Sequence, residues 1–276
     1  MSEPVARPAF VPGLFSTMPA EQYHAIEAMS SGGIKKMLQS PLHYKLMRDT
    51  PNEPTPAMQF GTAVHAGALE PYTFSERVVA APEVNKRTKD GKAEWDAFAA
   101  ANAGKVVLSA DDYARALRCI EAVGNHPGAM RLLHGSRREV SLFWIDDTYK
   151  VPCKVRLDVW NFGGIVDLKT TQDASPEAFG RTIASFMYHV QGAHYSKGAE
   201  QVLGEWPEFF AFIAVESEPP HAVACYTLPA NAVLVGAKLR AEALARYAEA
   251  LRTGVFRGYP DTVDVIQLPA WAMRSF

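Results

Sequence analysis

Two acidic residues and a lysine lie at the ends of two apolar, strand-like segments. The run Gly163-Gly164-Ile165-Val166-Asp167-Leu168-Lys169-Thr170-Thr171 presents an acid, a hydrophobe and a lysine after an apolar stretch, and Asp158 precedes Asp167 by nine residues. The glycine pair is typical of a turn between antiparallel strands. Such a turn would bring both carboxylates and the ammonium of Lys169 together.

Two neighbouring carboxylates favour a bound divalent cation, because they repel each other and are costly to keep ionised without a positive charge between them. Mg²⁺ takes few protein ligands and completes its octahedron with water and phosphate oxygens. A lysine beside such an ion can orient or help deprotonate a bound water. The three side chains therefore predict a phosphodiesterase.

The Asp-x-Lys spacing alone has a simpler interpretation, a surface ion pair at the end of a strand, since such pairs are common and contribute little energy. The same spacing occurs at Asp90-Gly91-Lys92, where no apolar run precedes it and a solvated loop is expected. The apolar segment before Asp167 distinguishes the two occurrences.

Composition describes a globular chain with a large core. The 276 residues are 48% hydrophobic and carry a formal net charge of −2, so nucleic-acid binding would require a local basic patch or a surface assembled between subunits. The three cysteines have no CxxC spacing, which argues against a disulfide framework or a zinc knuckle. No signal sequence or run of ~20 apolar residues is present, and we expect a soluble, cytoplasmic protein without a membrane partner.

The first half of the chain is predicted to be mostly helical. Residues 1–28 contain four prolines and are predicted to form an extended arm, followed by a helical part over residues 29–135. A helix over Ala57–Leu69 carries small residues that permit close packing, so His65 could be held against a neighbouring element. A structural or solvent-facing role is the alternative for a lone helix histidine.

From Arg138 the apolar period changes towards two, which predicts a three-stranded meander ending at Lys169. Glu139 on its first strand could lie near the metal or form a surface pair with its arginine neighbours. The catalytic core is expected to span residues 136–228 and to include a buried strand within Trp206–Ser217 and a partner strand near His221–Leu228. A helix and an apolar tail ending in Leu268, Trp271 and Phe276 would complete residues 229–276 of a single domain that starts at residue 29.

One long helix is predicted from Pro176 to about Val202. Tyr188, Gln191 and Tyr195 would share one face of it, because they are spaced i, i+3 and i+7. Gln191 and Tyr195 could bind phosphate or a metal-bound water. A half-buried amphipathic face is the alternative.

The ordered set of these segments resembles the PD-(D/E)xK nuclease superfamily, and within it the phage-type RecE-like (exonuclease VIII) branch related to the RecB nuclease domain. The resemblance covers roughly residues 23 to 227. It rests on the following motifs in order: Gly61-Thr62-Ala63-Val64-His65 with Leu69-Glu70-Pro71, Glu139-Val140-Ser141, Arg156-Leu157-Asp158, Ile165 to Thr171, and Tyr188-His189-Val190-Gln191-Gly192-Ala193-His194-Tyr195. It departs from the commoner pattern in having an aspartate, Asp167, where glutamate is usual.

This resemblance implies an α/β fold with a central mixed sheet flanked by helices and a helical N-terminal elaboration. It implies that Asp158, Asp167 and the Leu168 carbonyl ligate the metal, that His65 has a role at the metal, and that Lys169 positions or activates the water. Gln191 and Tyr195 would support the site or the DNA strand.

The activity implied by the resemblance is processive 5′ to 3′ digestion of linear double-stranded DNA with Mg²⁺, or Mn²⁺ as a substitute, leaving 3′ single strands. A single-strand annealing protein would be the partner, the enzyme would be a ring-shaped homo-oligomer (trimer or tetramer), and the origin would be a phage or prophage. The competing hypotheses are a structure-specific or single-strand nuclease of the same fold and a DNA-binding module without catalysis. Retention of both acids, Lys169 and His65 argues against the last.

Overall fold

A six-stranded mixed sheet forms the centre of the molecule. The computed structural model describes residues 8–50 and 53–268 together with Met273. The strands in these residues are β1 (Gly13–Phe15), β2 (Val78–Ala80), β3 (Val106–Leu108), β4 (Arg137–Ile145), β5 (Pro152–Asn161), β6 (Gly164–Thr171), β7 (Phe210–Glu216) and β8 (Val223–Thr227). The large sheet has the order β1-β4-β5-β6-β7-β8, in which only β6 and β7 are parallel neighbours. Strands β2 and β3 form a separate parallel pair.

Helices surround this sheet. They are α1 (Ala20–Ala25), α2 (Ser31–Gln39), α3 (Pro41–Asp49), α4 (Pro56–Leu69), α5 (Phe74–Arg77), α6 (Lys89–Ala101), α7 (Ala110–Asn125), α8 (Pro127–Leu133), α9 (Pro176–Ser185), α10 (Tyr188–Leu203) and α11 (Ala230–Thr253), with a 3-10 turn at Pro71–Thr73. Several begin at side-chain caps; the Ser109 hydroxyl, for example, accepts a hydrogen bond from the Asp112 amide at the start of α7. No described helix is both long enough and apolar enough to span a bilayer.

Both faces of the sheet are buried, as β7 illustrates. Its alternate residues Phe210, Phe212 and Ala214 belong to a core cluster that includes residues of α2, α10 and α11, while Ala211, Ile213 and Val215 belong to a second cluster with α4, α7 and α8. Because successive side chains of a strand point to opposite faces of the sheet, this continuous apolar run contributes to both cores. The predicted central mixed sheet flanked by helices, including the β4-β5-β6 meander, is confirmed.

The N-terminal segment differs from its prediction as an extended arm. Within residues 8–28, β1 pairs with the edge of β4, and the α1 region contributes Tyr23 and Ile26 to a cluster around Phe143. The buried Lys154 ammonium donates hydrogen bonds to the carbonyls of Tyr23 and Ile26 at 2.8 and 2.6 Å. The ammonium of Lys154 on β5 therefore holds the end of α1 against the sheet. The extended arm was predicted from the prolines, which give no information about such a long-range contact. Residues 1–7 lie outside the described residues.

The prediction of one helix from Pro176 to Val202 is wrong. The chain turns between α9 and α10, where Met187 has a left-handed backbone with φ of 53°. The apolar period continues across Ile183 and Phe186, and neither glycine nor proline marks the break, so the sequence pattern gives no sign of it. The turn gives α10 its own direction across the sheet.

The C-terminal helix α11 ends at Gly254, whose φ of 71° is the left-handed conformation typical of a helix end. Residues 255–268 form no helix or strand, and Leu268 is exposed. Trp271 and Phe276, predicted to dock the tail on a core or subunit, lie outside the described residues.

Candidate active site

The two acids meet across neighbouring strands. Val159 pairs with Val166 in the antiparallel β5-β6 register, which places Asp158 opposite Asp167. The turn between the strands consists of Phe162 and Gly163, with φ of 44° and 76°. A two-residue hairpin turn of type I′ requires a positive φ at both of its central residues. The turn predicted at Gly163-Gly164 thus lies one residue earlier and still brings the acids together.

Asp167 is held from both sides. It is only 1% exposed; its Oδ2 forms an ion pair with the Lys169 ammonium, and its Oδ1 accepts a hydrogen bond of 2.5 Å from the Gln191 amide on α10. Burial works to lower the pKa of Lys169, but the carboxylates of Asp167 and Asp158 outweigh it and raise that pKa. Lys169 is therefore an ammonium at neutral pH.

His65 reaches the site from the opposite face of the sheet. Its Nε2 lies 2.6 Å from the carbonyl oxygen of Leu168, and because a carbonyl only accepts, Nε2 carries the proton. The other ring nitrogen, Nδ1, faces Asp158, whose Oδ2 is 3.6 Å away. Close packing of α4 makes this possible: a Cβ at Gly61 would lie 3.4 Å from the Thr170 hydroxyl.

Leu168 is positioned by both of its backbone groups. Its amide donates a hydrogen bond of 2.9 Å to Oδ2 of Asp158, and its carbonyl accepts from His65. Its role as a metal ligand through the carbonyl stays a prediction.

Glu139 joins the site through an unusual backbone. Its φ is 55°, and the pairs on either side of it, Arg138 with Val159 and Val140 with Leu157, place it opposite Asp158. The faces of the sheet also change here: Leu157 belongs to the first core cluster and Val159 to the second. A left-handed non-glycine residue costs on the order of 1–3 kcal/mol and is commonly found at functional sites.

Arg156 orients Glu139. Its Nε donates a hydrogen bond of 2.5 Å to Oε2 of Glu139, and its NH1 group donates one of 2.8 Å to the carbonyl of Met18. Glu139 is therefore a half-buried residue of the site that pairs with Arg156. The sequence had also allowed a surface pair with Arg137 or Arg138.

Asp158 is an acid whose surroundings disfavour its ionised form. Burial raises its pKa to about 7, with Asp167 and Glu139 adding to the effect and His65 and Lys169 opposing it.

The remaining predicted residue, Tyr195, lines the same cleft, which has a volume of about 1130 Å³. Its side chain forms a hydrogen bond with Ser31, and burial raises its pKa well above the usual value. Tyr195 is thus near the acids, whereas Gln191 contacts one directly.

Sequence reasoning missed Lys35 of α2. Its ammonium lies 5.0 Å from the centroid of the Tyr188 ring, and Lys169 lies 4.9 Å from the same ring. Burial, followed by the charge of Lys169, lowers the pKa of Lys35 to about 8. A lysine on a short amphipathic helix is usually solvent-facing, so its sequence position gives no signal.

Comparison with known proteins identifies the family. A family model described as a "PDDEXK-like domain of unknown function (DUF3799)" matches residues 30–269. The chain belongs to this family. No curated protein matches the sequence significantly.

One solved structure shares the fold of this chain. A crystal structure of a "putative exonuclease" from Eubacterium rectale superposes with a TM-score of 0.61 at 17% identity, covering 94% of this chain and 97% of the other. A crystal structure of SSO0001 is 14% identical over 67% of this chain and 85% of the other, with a TM-score of 0.30 that carries no argument. The resemblance to the PD-(D/E)xK superfamily is confirmed.

The PDDEXK-like site has a donor set that fits a divalent cation. Nδ1 of His65 and one carboxylate oxygen each from Glu139 and Asp158 all lie within 4.8 Å of one another, and Asp167 faces Asp158 from the next strand. Carboxylate oxygens suit Mg²⁺ and Mn²⁺, and the imidazole is a ligand for the softer first-row metals. A cation there would also favour the ionised form of Asp158, which burial and the neighbouring carboxylates disfavour.

Proposed function

We propose that this protein is a metal-dependent nuclease that hydrolyses DNA phosphodiester bonds. The observation that carries the proposal is the cluster of Asp158, Asp167 and Lys169: Asp158 and Lys169 line the cleft, and the buried Asp167 behind them is paired with Lys169 and bonded to Gln191. A surface ion pair would not require Asp167 to be 1% exposed or to have a second polar partner from another helix.

Each residue has a distinct role in this proposal. Asp158, Asp167 and His65 would hold the cation, with Glu139 and the Leu168 carbonyl beside them. The bound cation would supply positive charge for the phosphate oxygens and lower the pKa of the attacking water. Lys169, as an ammonium, orients the water and the phosphate, while Gln191 keeps the carboxylate of Asp167 in one orientation. Tyr195 lines the wall of the cleft.

The finer proposal is an exodeoxyribonuclease that degrades linear duplex DNA from 5′ to 3′ with Mg²⁺ or Mn²⁺. It is supported by the ordered motifs shared with RecE-like nucleases. A homo-oligomeric ring around the DNA would accommodate the net charge of −2, because a basic channel can coexist with an acidic exterior. The 3′ strands would then pass to a single-strand annealing protein.

End-labelled DNA tests the finer proposal. Linear duplex labelled separately at its 5′ and 3′ ends is incubated with Mg²⁺ or with chelator, and a covalently closed circle serves as the substrate without ends. We expect early release of the 5′ label, dependence on the metal, and an intact circle. Cleavage of the circle would instead identify a structure-specific or single-strand nuclease, and early release of the 3′ label would overturn the polarity.

A further inference from the structure

An exposed aromatic side chain is stacked on a ring that lines the cleft of the acids. Phe186, at the turn between α9 and α10, is 60% exposed and stacks on Tyr188 with 5.7 Å between ring centroids and 20° between planes. Tyr188 in turn contacts the buried ring of Phe212, with centroids 5.8 Å apart. Exposed Phe186 is thus supported from below by the core rather than left to rotate freely.

The position of this pair connects two clefts. The cleft of the acids and a second cleft of about 720 Å³ share Ala57, Thr170 and Tyr188 as lining residues, and Phe186 lines the second. A strand whose phosphate lay at Lys169 and that continued past Tyr188 would therefore enter the second cleft over Phe186. The left-handed Met187 contributes to this arrangement, because it lies in the turn between α9 and α10, directly before Tyr188.

Charge contributes little to the second cleft. Arg115 is paired with Asp112 at 2.7 Å and with Glu218, and Arg181 shares the lining with Asp173. Hydroxyl groups of Thr171, Thr182, Ser185 and Ser217 and the ring of Phe186 make up much of the rest. An occupant of this cleft must therefore be recognised mainly by stacking and neutral hydrogen bonds.

We propose that Phe186 is a stacking platform for an unpaired nucleobase next to the phosphate at the acids, and that the strand continues into the second cleft. The inference rests on the proposed function and deepens it by naming a single-stranded segment as the form of DNA held there. Every base presents a π-face, so recognition is tolerant of sequence. A duplex end must open by at least one base pair to reach this position.

Binding without cleavage tests the platform directly. Single-stranded oligonucleotides carry 2-aminopurine at one of the first four positions from either end and are titrated with wild-type protein in chelator. We expect fluorescence quenching at the position that stacks. Phe186→Ala is expected to lose that quenching and to weaken binding by about tenfold, whereas Phe186→Trp keeps both.

A matched control is Phe162→Ala. Phe162 is also an exposed phenylalanine, 75% accessible, with a left-handed backbone, and it lines neither cleft. Its loss should leave quenching and affinity as in the wild type. The ratio of wild-type to Phe186→Ala affinity should be the same at low and high salt, because stacking releases no counterions. A ratio that falls to one at high salt would overturn stacking.

The result separates this inference from the proposed nuclease activity. Wild-type binding and quenching that Phe186→Ala retains would overturn the platform, even if the protein cleaves DNA. Quenching that depends on Phe186 in a protein that cleaves no DNA with Mg²⁺ or Mn²⁺ would support the platform and reject the nuclease.

Discussion

The donor set around Asp158 mixes one imidazole nitrogen with carboxylate oxygens, which predicts how the site discriminates between metals. Mg²⁺ strongly prefers oxygen ligands, whereas Mn²⁺ accepts imidazole more readily. His65→Ala should therefore weaken Mn²⁺ binding by about tenfold or more and Mg²⁺ binding by less. Calorimetric titration of each ion into wild type and variant measures both affinities.

His134→Ala is the control for this comparison, because His134 is exposed at the end of α8 and lines neither cleft. Equal affinities of His65→Ala and wild type for Mn²⁺ would show that His65 has only its hydrogen bond to Leu168.

The amide of Gln191 predicts that two substitutions of this residue slow cleavage to different extents. Gln191→Glu would place a second carboxylate against Oδ1 of Asp167, where the amide now donates at 2.5 Å. Repulsion between the two would disfavour the ionised form of Asp167. We expect single-turnover cleavage at least tenfold slower for Gln191→Glu than for Gln191→Ala, which only removes the donor. Equal rates for the two variants would argue that Gln191 does not act through Asp167.

Residue types and spacing predicted that Asp158, Asp167 and Lys169 lie together, and left Gln191 open between a site role and an amphipathic face. Alternation in β5 and β6 and a turn between them place Asp158 beside Asp167. Glu139 has a left-handed backbone and forms an ion pair with Arg156. Both features depend on how β4 packs against β5, and the alternation of apolar residues along one strand does not predict them. Lys35 likewise joins the site only because α2 packs near Tyr188.

The crossing of α10 and α11 is the element-level contact that holds Gln191 in place. A Cβ on Gly236 of α11 would come within 2.1 Å of the His189 carbonyl oxygen in the first turn of α10. Backbone atoms cannot rotate away, so Gly236→Ala should destabilise the fold by about 1–3 kcal/mol and slow cleavage by displacing α10. Denaturant unfolding measures the first effect.

Gly180→Ala is the matched control on α9, where an added Cβ meets nothing within 4 Å. It should stabilise the protein by about 0.5–1 kcal/mol, because alanine restricts the unfolded chain and favours helix. A Gly236→Ala variant as stable as the wild type would mean that α10 and α11 can separate without cost.

Elements with a clear period were predictable, and their interruptions were not. The meander, the buried β7 and its partner β8 follow from runs of apolar residues with turns between them. The break at Met187 has no turn residue, and the incorporation of β1 into the sheet depends on a pairing with β4 more than 120 residues away. Tertiary contacts decide both.

At the scale of the whole molecule, a buried polar cluster joins the sheet to its helices. His194 of α10 accepts a hydrogen bond on Nδ1 from Arg240 of α11 at 3.1 Å, and Arg240 also pairs with Asp146 beyond β4 at 2.5 Å. Nε2 of His194 lies 3.2 Å from the Met29 carbonyl, so it carries the proton and the ring is neutral. A second proton on this ring would place two cations side by side without solvent.

This cluster predicts loss of stability in mild acid. Burial, followed by the charge of Arg240, lowers the pKa of His194 from 6.5 to about 3. Below pH 6.5 the unfolded chain takes up a proton that the native state excludes until about pH 3, so the free energy of unfolding falls across this window. At pH 5 the loss from His194 is about 2 kcal/mol.

Chemical unfolding at pH 7 and pH 5 measures this effect, with His194→Gln as the comparison. The glutamine cannot titrate, so its stability should change less than that of the wild type between the two pH values. The same slope in both proteins would show that other groups cause the acid sensitivity.

The central claim is that Asp158, Asp167 and Lys169 form one metal-dependent catalytic site. The most direct test measures release of acid-soluble nucleotides from linear duplex DNA with Mg²⁺ for wild type, Asp167→Asn, Lys169→Ala and Lys92→Ala. Lys92 is the matched control, because it is exposed and ends the Asp90-Gly91-Lys92 segment of α6, which has the same Asp-x-Lys spacing. We expect chelator, Asp167→Asn and Lys169→Ala each to abolish release and Lys92→Ala to leave it unchanged. Full activity of Lys169→Ala, or release that persists in chelator, would contradict the account.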